Sequence, residues 1–197
     1  MIDPRFVLLA AGISFLGGLT YLVATLKGSV RPNRVTWFMW SLAPLVAFAA
    51  ELQQGVGLQA LATFMAGFNP LLILIASFVN PASAWRLTRF DACCGCLSLA
   101  GLGLWYLTRA GDVAIVFAIL ADGLAAVPTL IKAAVAPESE NYLGFLAFTI
   151  SAAITLLTVS VWNFATYGFP LYLCLIGLLL TALIKFRLGR LLRPRYA

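Results

Sequence analysis

Seven apolar stretches follow one another along this chain, each long enough or nearly long enough to cross a lipid bilayer. They run from about Phe6–Leu26, Val35–Leu52, Gly57–Val79 and Cys93–Leu107 to Val113–Lys132, Tyr142–Ser160 and Ala165–Ile184. A crossing takes roughly 20 apolar residues, because the hydrocarbon layer is about 30 Å thick and a helix rises about 1.5 Å per residue. Within hydrocarbon the backbone must satisfy its own polar groups, so such segments fold as helices. With 197 residues, 62% hydrophobic and 10% charged, the chain has little left over for a soluble domain of ordinary size. The fold class this predicts is an all-α integral membrane protein with seven transmembrane helices. The first stretch does not read as a cleavable leader, since Arg5 sits beside Asp3 and no Ala-x-Ala site closes it.

Charge predicts the orientation. Seven crossings put eleven of the thirteen basic residues, from Lys27 to Arg195, on one side of the membrane and leave Arg5 and Arg109 on the other. Cytoplasmic loops are the basic ones, so the N-terminus is expected outside and the C-terminus inside. The tail from Lys185 to Arg195 holds five cations in eleven residues. Directly after a spanning helix, such a tail is expected to meet anionic lipid headgroups, at about 1 kcal/mol per cation, rather than nucleic acid. The expected setting is a multi-pass protein of the bacterial inner (plasma) membrane.

Several chemistries are excluded by what the sequence lacks. There is no histidine, which removes Ser-His-Asp and Cys-His catalysis and histidine-ligated haem or zinc. Cys93, Cys94, Cys96 and Cys174 do not form the two paired arms of a metal site. The three lysines, Lys27, Lys132 and Lys185, all stand at helix ends, so a retinal Schiff base buried in the last helix is excluded. Asp122 is the one acid expected near mid-membrane, which leaves no carboxylate pair for hydrolysis. No enzyme activity and no cofactor are expected.

The chain resembles itself at a distance of 105 residues. At that offset Gly18-Leu19 falls on Gly123-Leu124, Lys27 on Lys132, and Val30-x-Pro32 on Val135-x-Pro137. Aromatic positions follow, with Trp37 opposite Tyr142 and Trp40 opposite Phe145; after a connection five residues shorter, Phe68-Asn69-Pro70 falls on Gly168-Phe169-Pro170. Residues 1–79 and 112–184 are thus expected to be two three-helix repeats, with 80–111 as a linker helix and its flanks and 185–197 as a basic tail. Three is odd, so the extra crossing restores a parallel orientation. Parallel repeats of this kind place a substrate site near mid-membrane between the halves.

The segments LVATLKGSVRPNRVTWFMWSLAP and AVPTLIKAAVAPESE resemble the two cytoplasmic-end signatures of the PQ-loop group, which includes the SWEET sugar transporters and cystinosin-type exporters. Pro128-Thr129 stands where that group has its Pro-Gln or Pro-Thr pair; Val23-Ala24 stands there in the first repeat. Pro44 and Pro128 match two of the family's ring of four prolines, and Val23 and Thr149 occupy the other two places. The resemblance implies a small-solute transporter working by alternating access, with a sugar or similar polar metabolite as its substrate. Pro44, Pro70, Pro128 and Pro170 are the hinge candidates, since a proline inside a helix removes a backbone hydrogen bond.

Four residues are candidates for substrate contact: Asn69, Trp40, Phe145 and Asp122. A carboxylate at mid-membrane is costly, so Asp122 is expected to face the bundle interior. By similarity to cystinosin-like proteins it is a candidate for proton coupling; the alternative is a hydrogen bond to a neighbouring helix, to Asn69 or a threonine. Asn69 resembles the SWEET asparagine that bonds the solute, with an interhelical hydrogen bond as its alternative. Trp40 and Phe145 offer rings on which a sugar face stacks. Trp37 is assigned to the interfacial aromatic belt, Phe38 and Phe148 to packing, and Glu138 and Glu140 to the favourable field of a helix N-terminus. The other functions open are a seven-helix sensor or a non-transporting subunit of a membrane complex; homo-oligomerisation is open as well.

Overall fold

The computed structural model describes residues 2–53, 56–83, 85–108 and 111–191. Among these the chain is all-helical. Seven helices of 17–25 residues succeed one another: α1 (Phe6–Leu26), α2 (Arg34–Gln53), α3 (Ala60–Val79), α4 (Arg89–Thr108), α5 (Gly111–Val135), α6 (Tyr142–Thr158) and α7 (Phe164–Lys185). A single further turn, α8 (Leu188–Leu191), follows them. Each long helix overlaps one predicted stretch. Four segments combine the length and apolarity needed to cross a membrane: α1, α3, Ile115–Val135 of α5 and Thr166–Lys185 of α7; α2 and α6 carry shorter apolar runs, Arg34–Ala49 and Tyr142–Thr158. This is a helical membrane-spanning protein. Arg109 and residues 192–197, on which part of the charge asymmetry rests, lie outside the described residues.

Where helix ends differ from the hydropathy reading, polar caps account for it. The apolar run of α4 begins at Cys93, but the helix begins at Arg89 because Thr88 and Asp91 bond reciprocally. The Asp91 carboxylate accepts from Thr88 N and Oγ1 at 2.6 and 2.8 Å, and Asp91 N donates to Thr88 Oγ1 at 3.3 Å. Asn33 starts α2, its Oδ1 accepting from Val35 N at 3.1 Å, while its Nδ2 donates to Asp91 Oδ1 at 2.9 Å. One side chain therefore fixes two helix starts. The α1 terminus is a Schellman turn, with Ser29 N bonded to Ala24 O and Gly28 N to Thr25 O. Gly28 has φ +76° there, a conformation that disfavours any residue with a Cβ.

The helices pack in a mirrored pattern of neighbours. Helix α3 lies against both α1 and α2, and α7 lies against both α5 and α6. Helix α1 also packs along α6, and α2 against α5; α4 lies mainly on α5. The α1–α6 seam is made of small residues. A Cβ on Gly17 would overlap that of Ala147, and one on Gly144 would stand 3.3 Å from Tyr21 Cβ. Close packing of small residues is how helices associate where apolar surface gains nothing from leaving lipid. Gly17→Val should therefore lower stability by about 1–3 kcal/mol through overpacking. Denaturant unfolding in detergent measures this, and an unchanged midpoint would show that α1 and α6 separate at no cost.

Candidate functional site

Midway along the bundle the six helices α1, α2, α3, α5, α6 and α7 leave a cavity between them. Its empty volume, including the solvent space at its open side, is about 630 Å3. Every one of these helices contributes to the wall, and no described residue of α4 does. Ser14 and Gly18 come from α1, Trp40 and Pro44 from α2, and Ala66 and Asn69 from α3. Across from them stand Asp122 of α5, Phe145 and Phe148 of α6, and Leu173 and Ile176 of α7. The four candidate contact residues, Asn69, Trp40, Phe145 and Asp122, are thus brought to one cavity. Of the four candidate hinges, Pro44 and Pro70 line it; Pro128 and Pro170 lie inside α5 and α7 and do not.

The polar groups of the wall are tied within neighbouring helices. Asn69 donates its amide to Ser14 O at 2.9 Å and Ser14 Oγ at 3.1 Å, linking α3 to α1. Asp122, 3% exposed, accepts from the Tyr172 hydroxyl at 2.6 Å, linking α5 to α7. Its partner is Tyr172, rather than Asn69 or a threonine. Gly18 makes room for Asn69, since a Cβ there would stand 2.6 Å from Asn69 Cγ. The indole N–H groups of Trp37 and Trp40 are buried and make no well-formed hydrogen bond among the described residues, although the Trp40 N–H lies beside the Asp122 carboxylate and the Trp37 N–H beside the Tyr21 hydroxyl.

Four rings gather at one end of the cavity. Tyr21 and Trp37 lie 4.6 Å apart between centroids, Trp37 and Trp40 5.4 Å, and Trp40 and Phe145 6.1 Å. Trp37 is 4% exposed and in the cavity wall, so its assignment to an interfacial belt is corrected. It stands three residues before Trp40 on α2, which places both on one helix face. That spacing was the signal that tied the two together. Phe148, assigned to packing, also lines the cavity, whereas Phe38 points outward and is exposed.

Beyond these rings a buried ionic cluster closes the same end. Tyr21 donates its hydroxyl to Glu140, and Glu140 pairs with Lys132 at 2.6 Å. Lys132 donates in turn to the Arg31 carbonyl and lies 5.0 Å from the Trp85 ring centroid. The Lys132 and Glu140 side chains are 1% and 0% exposed. A main-chain bond from Arg31 N to Ser139 O at 2.9 Å joins the α1–α2 connection to the α5–α6 connection beside them. A helix-terminus field alone does not describe Glu140; the residue is half of a buried ion pair. No spacing rule reveals such a pair, because Lys132 ends one helix and Glu140 precedes the next.

Compared with known proteins, the chain matches no family model, no curated protein and no solved structure.

Proposed function

We propose that this chain is a carrier that moves a small polar solute across a membrane by alternating access between two three-helix halves. The observation that carries the reading is the cavity: among the described residues it draws its wall from α1–α3 and α5–α7, from every helix of the two halves, and not from α4. A site shared between halves is reached from either side when the halves rock about it. The neighbour relations support the 3+1+3 division, since the third helix of each half lies between the other two, and the first helix of each half packs on the second of the other. The PQ-loop and SWEET-like resemblance, the N-terminus outside and C-terminus inside, and residence in a bacterial plasma membrane belong to the same reading. A sugar is the default solute under it, and Asp122 is the carboxylate that would carry a coupling proton.

Counterflow of labelled sugars, amino acids, amines and nucleosides in proteoliposomes holding only this protein tests the proposal. Exchange of at least one member is expected. Ala66→Phe, which puts a ring into the cavity from α3, should abolish it. Gly103→Leu on α4, where an added Cβ meets nothing within 4 Å, should leave it intact. Folded protein that exchanges no member of the panel would reject the carrier in favour of a sensor or a subunit of a larger complex.

A further inference from the structure

We propose that the solute carries a positive charge: a small protonated amine or quaternary ammonium that also bears an acceptor oxygen, held between the aromatic rings and the Asp122 carboxylate. This rests on the transport reading and replaces its default sugar with a narrower chemical class. Among the described residues, Asp122 is the only acid in the cavity wall, and no lysine or arginine lines the cavity with it. Its protein partner is the neutral Tyr172 hydroxyl. The described ion pair, Lys132–Glu140, is complete in itself and stands at the end of the bundle, ten residues further along α5. A buried carboxylate without a basic neighbour either holds a proton or is matched by a cation from outside, and the rings around this one favour the cation.

The rest of the wall fits the same ligand. Tyr21, Trp37, Trp40 and Phe145 supply electron-rich rings, and such rings attract ammonium groups most strongly where water is excluded. The Trp37 and Trp40 indole N–H groups lie beside Tyr21 and Asp122 without a well-formed bond, and an oxygen on the same molecule would accept from them. A neutral polyol fits poorly by comparison. Asn69 has committed its amide donor to Ser14, and the mostly apolar and aromatic remainder of the wall leaves several hydroxyls of a sugar without a partner. An anion would meet Asp122 with no cation in the wall to offset it.

Equilibrium binding of labelled choline to the full chain in detergent tests the assignment, with glucose and the neutral isostere of choline, in which carbon replaces the quaternary nitrogen, as competitors. Choline should bind, and the isostere should compete about tenfold more weakly or worse, because it has the shape without the charge. Asp122→Asn should weaken choline binding by about tenfold or more, while Gly103→Leu on α4, where an added Cβ meets nothing within 4 Å, should retain it. The isostere comparison needs no variant and stands even if Asp122→Asn fails to fold. Equal competition by the isostere, or choline binding unchanged in folded Asp122→Asn, would overturn the charge assignment. Glucose exchange without choline binding would overturn it too and leave the carrier standing. Choline binding without flux of any solute would instead remove the carrier and keep the site.

Discussion

Glu140→Gln will destabilise the folded chain by about 3–5 kcal/mol, because it strands the buried Lys132 ammonium without a counter-charge. Both side chains are essentially inaccessible, at 1% and 0%, and lie 2.6 Å apart. The remaining bonds of the cluster, from Tyr21 to Glu140 and from Lys132 to the Arg31 carbonyl, satisfy hydrogen-bonding groups but do not neutralise the charge. Replacing both partners by apolar residues of similar size, Lys132→Met with Glu140→Leu, removes the stranded charge and should recover most of the loss. Denaturant unfolding of the two singles and the double gives the coupling directly. A cost below about 1 kcal/mol for Glu140→Gln would mean the pair behaves as a solvated surface bridge, and the closed end of the bundle would have to be held by packing alone.

Trp37→Ala is the second large effect, with an expected loss of about 3–5 kcal/mol. Trp37 is 4% exposed and touches three other rings: Tyr21 at 4.6 Å, Trp40 at 5.4 Å and Phe145 at 6.3 Å between centroids. Truncation removes the tilted and edge-to-face contacts and leaves a void that α1 and α6 cannot fill without moving. A tryptophan anchored in a membrane–water interface touches lipid on one side and would lose far less on truncation. Unfolding midpoints of Trp37→Ala and of Trp162→Ala, whose ring is 60% exposed, should therefore separate clearly. Equal losses would put Trp37 back among the interfacial anchors.

Helix positions were legible because the bilayer imposes them. A backbone in hydrocarbon has few options, so seven apolar runs become seven helices. The start of α4 was not legible from hydropathy, because Thr88, its cap, and Asp91, in its first turn, are both polar. Residue types at the cavity were legible too: Asp122, Asn69 and Trp40 are out of place in lipid unless something inside the bundle receives them. Their partners were not. Tyr172 lies 50 residues from Asp122, and Ser14 lies 55 from Asn69; such pairs depend on which helices become neighbours and on their rotation. A tryptophan near a helix end has the same sequence signature whether it faces headgroups or a cavity. Only the neighbouring helix distinguishes the two.

Two of the five tryptophans of the chain, Trp37 and Trp40, stand in the cavity wall, and a third, Trp85, lies over Lys132 at the closed end. Indole emission shifts in wavelength and yield with local polarity and with nearby charge. The protein is in this way its own optical reporter. A solute arriving against Trp40 and a rearrangement that draws Lys132 away from Trp85 alter the light from different rings. Single-tryptophan variants that keep one or the other thus separate occupancy of the cavity from opening of its end, in real time and without any attached dye.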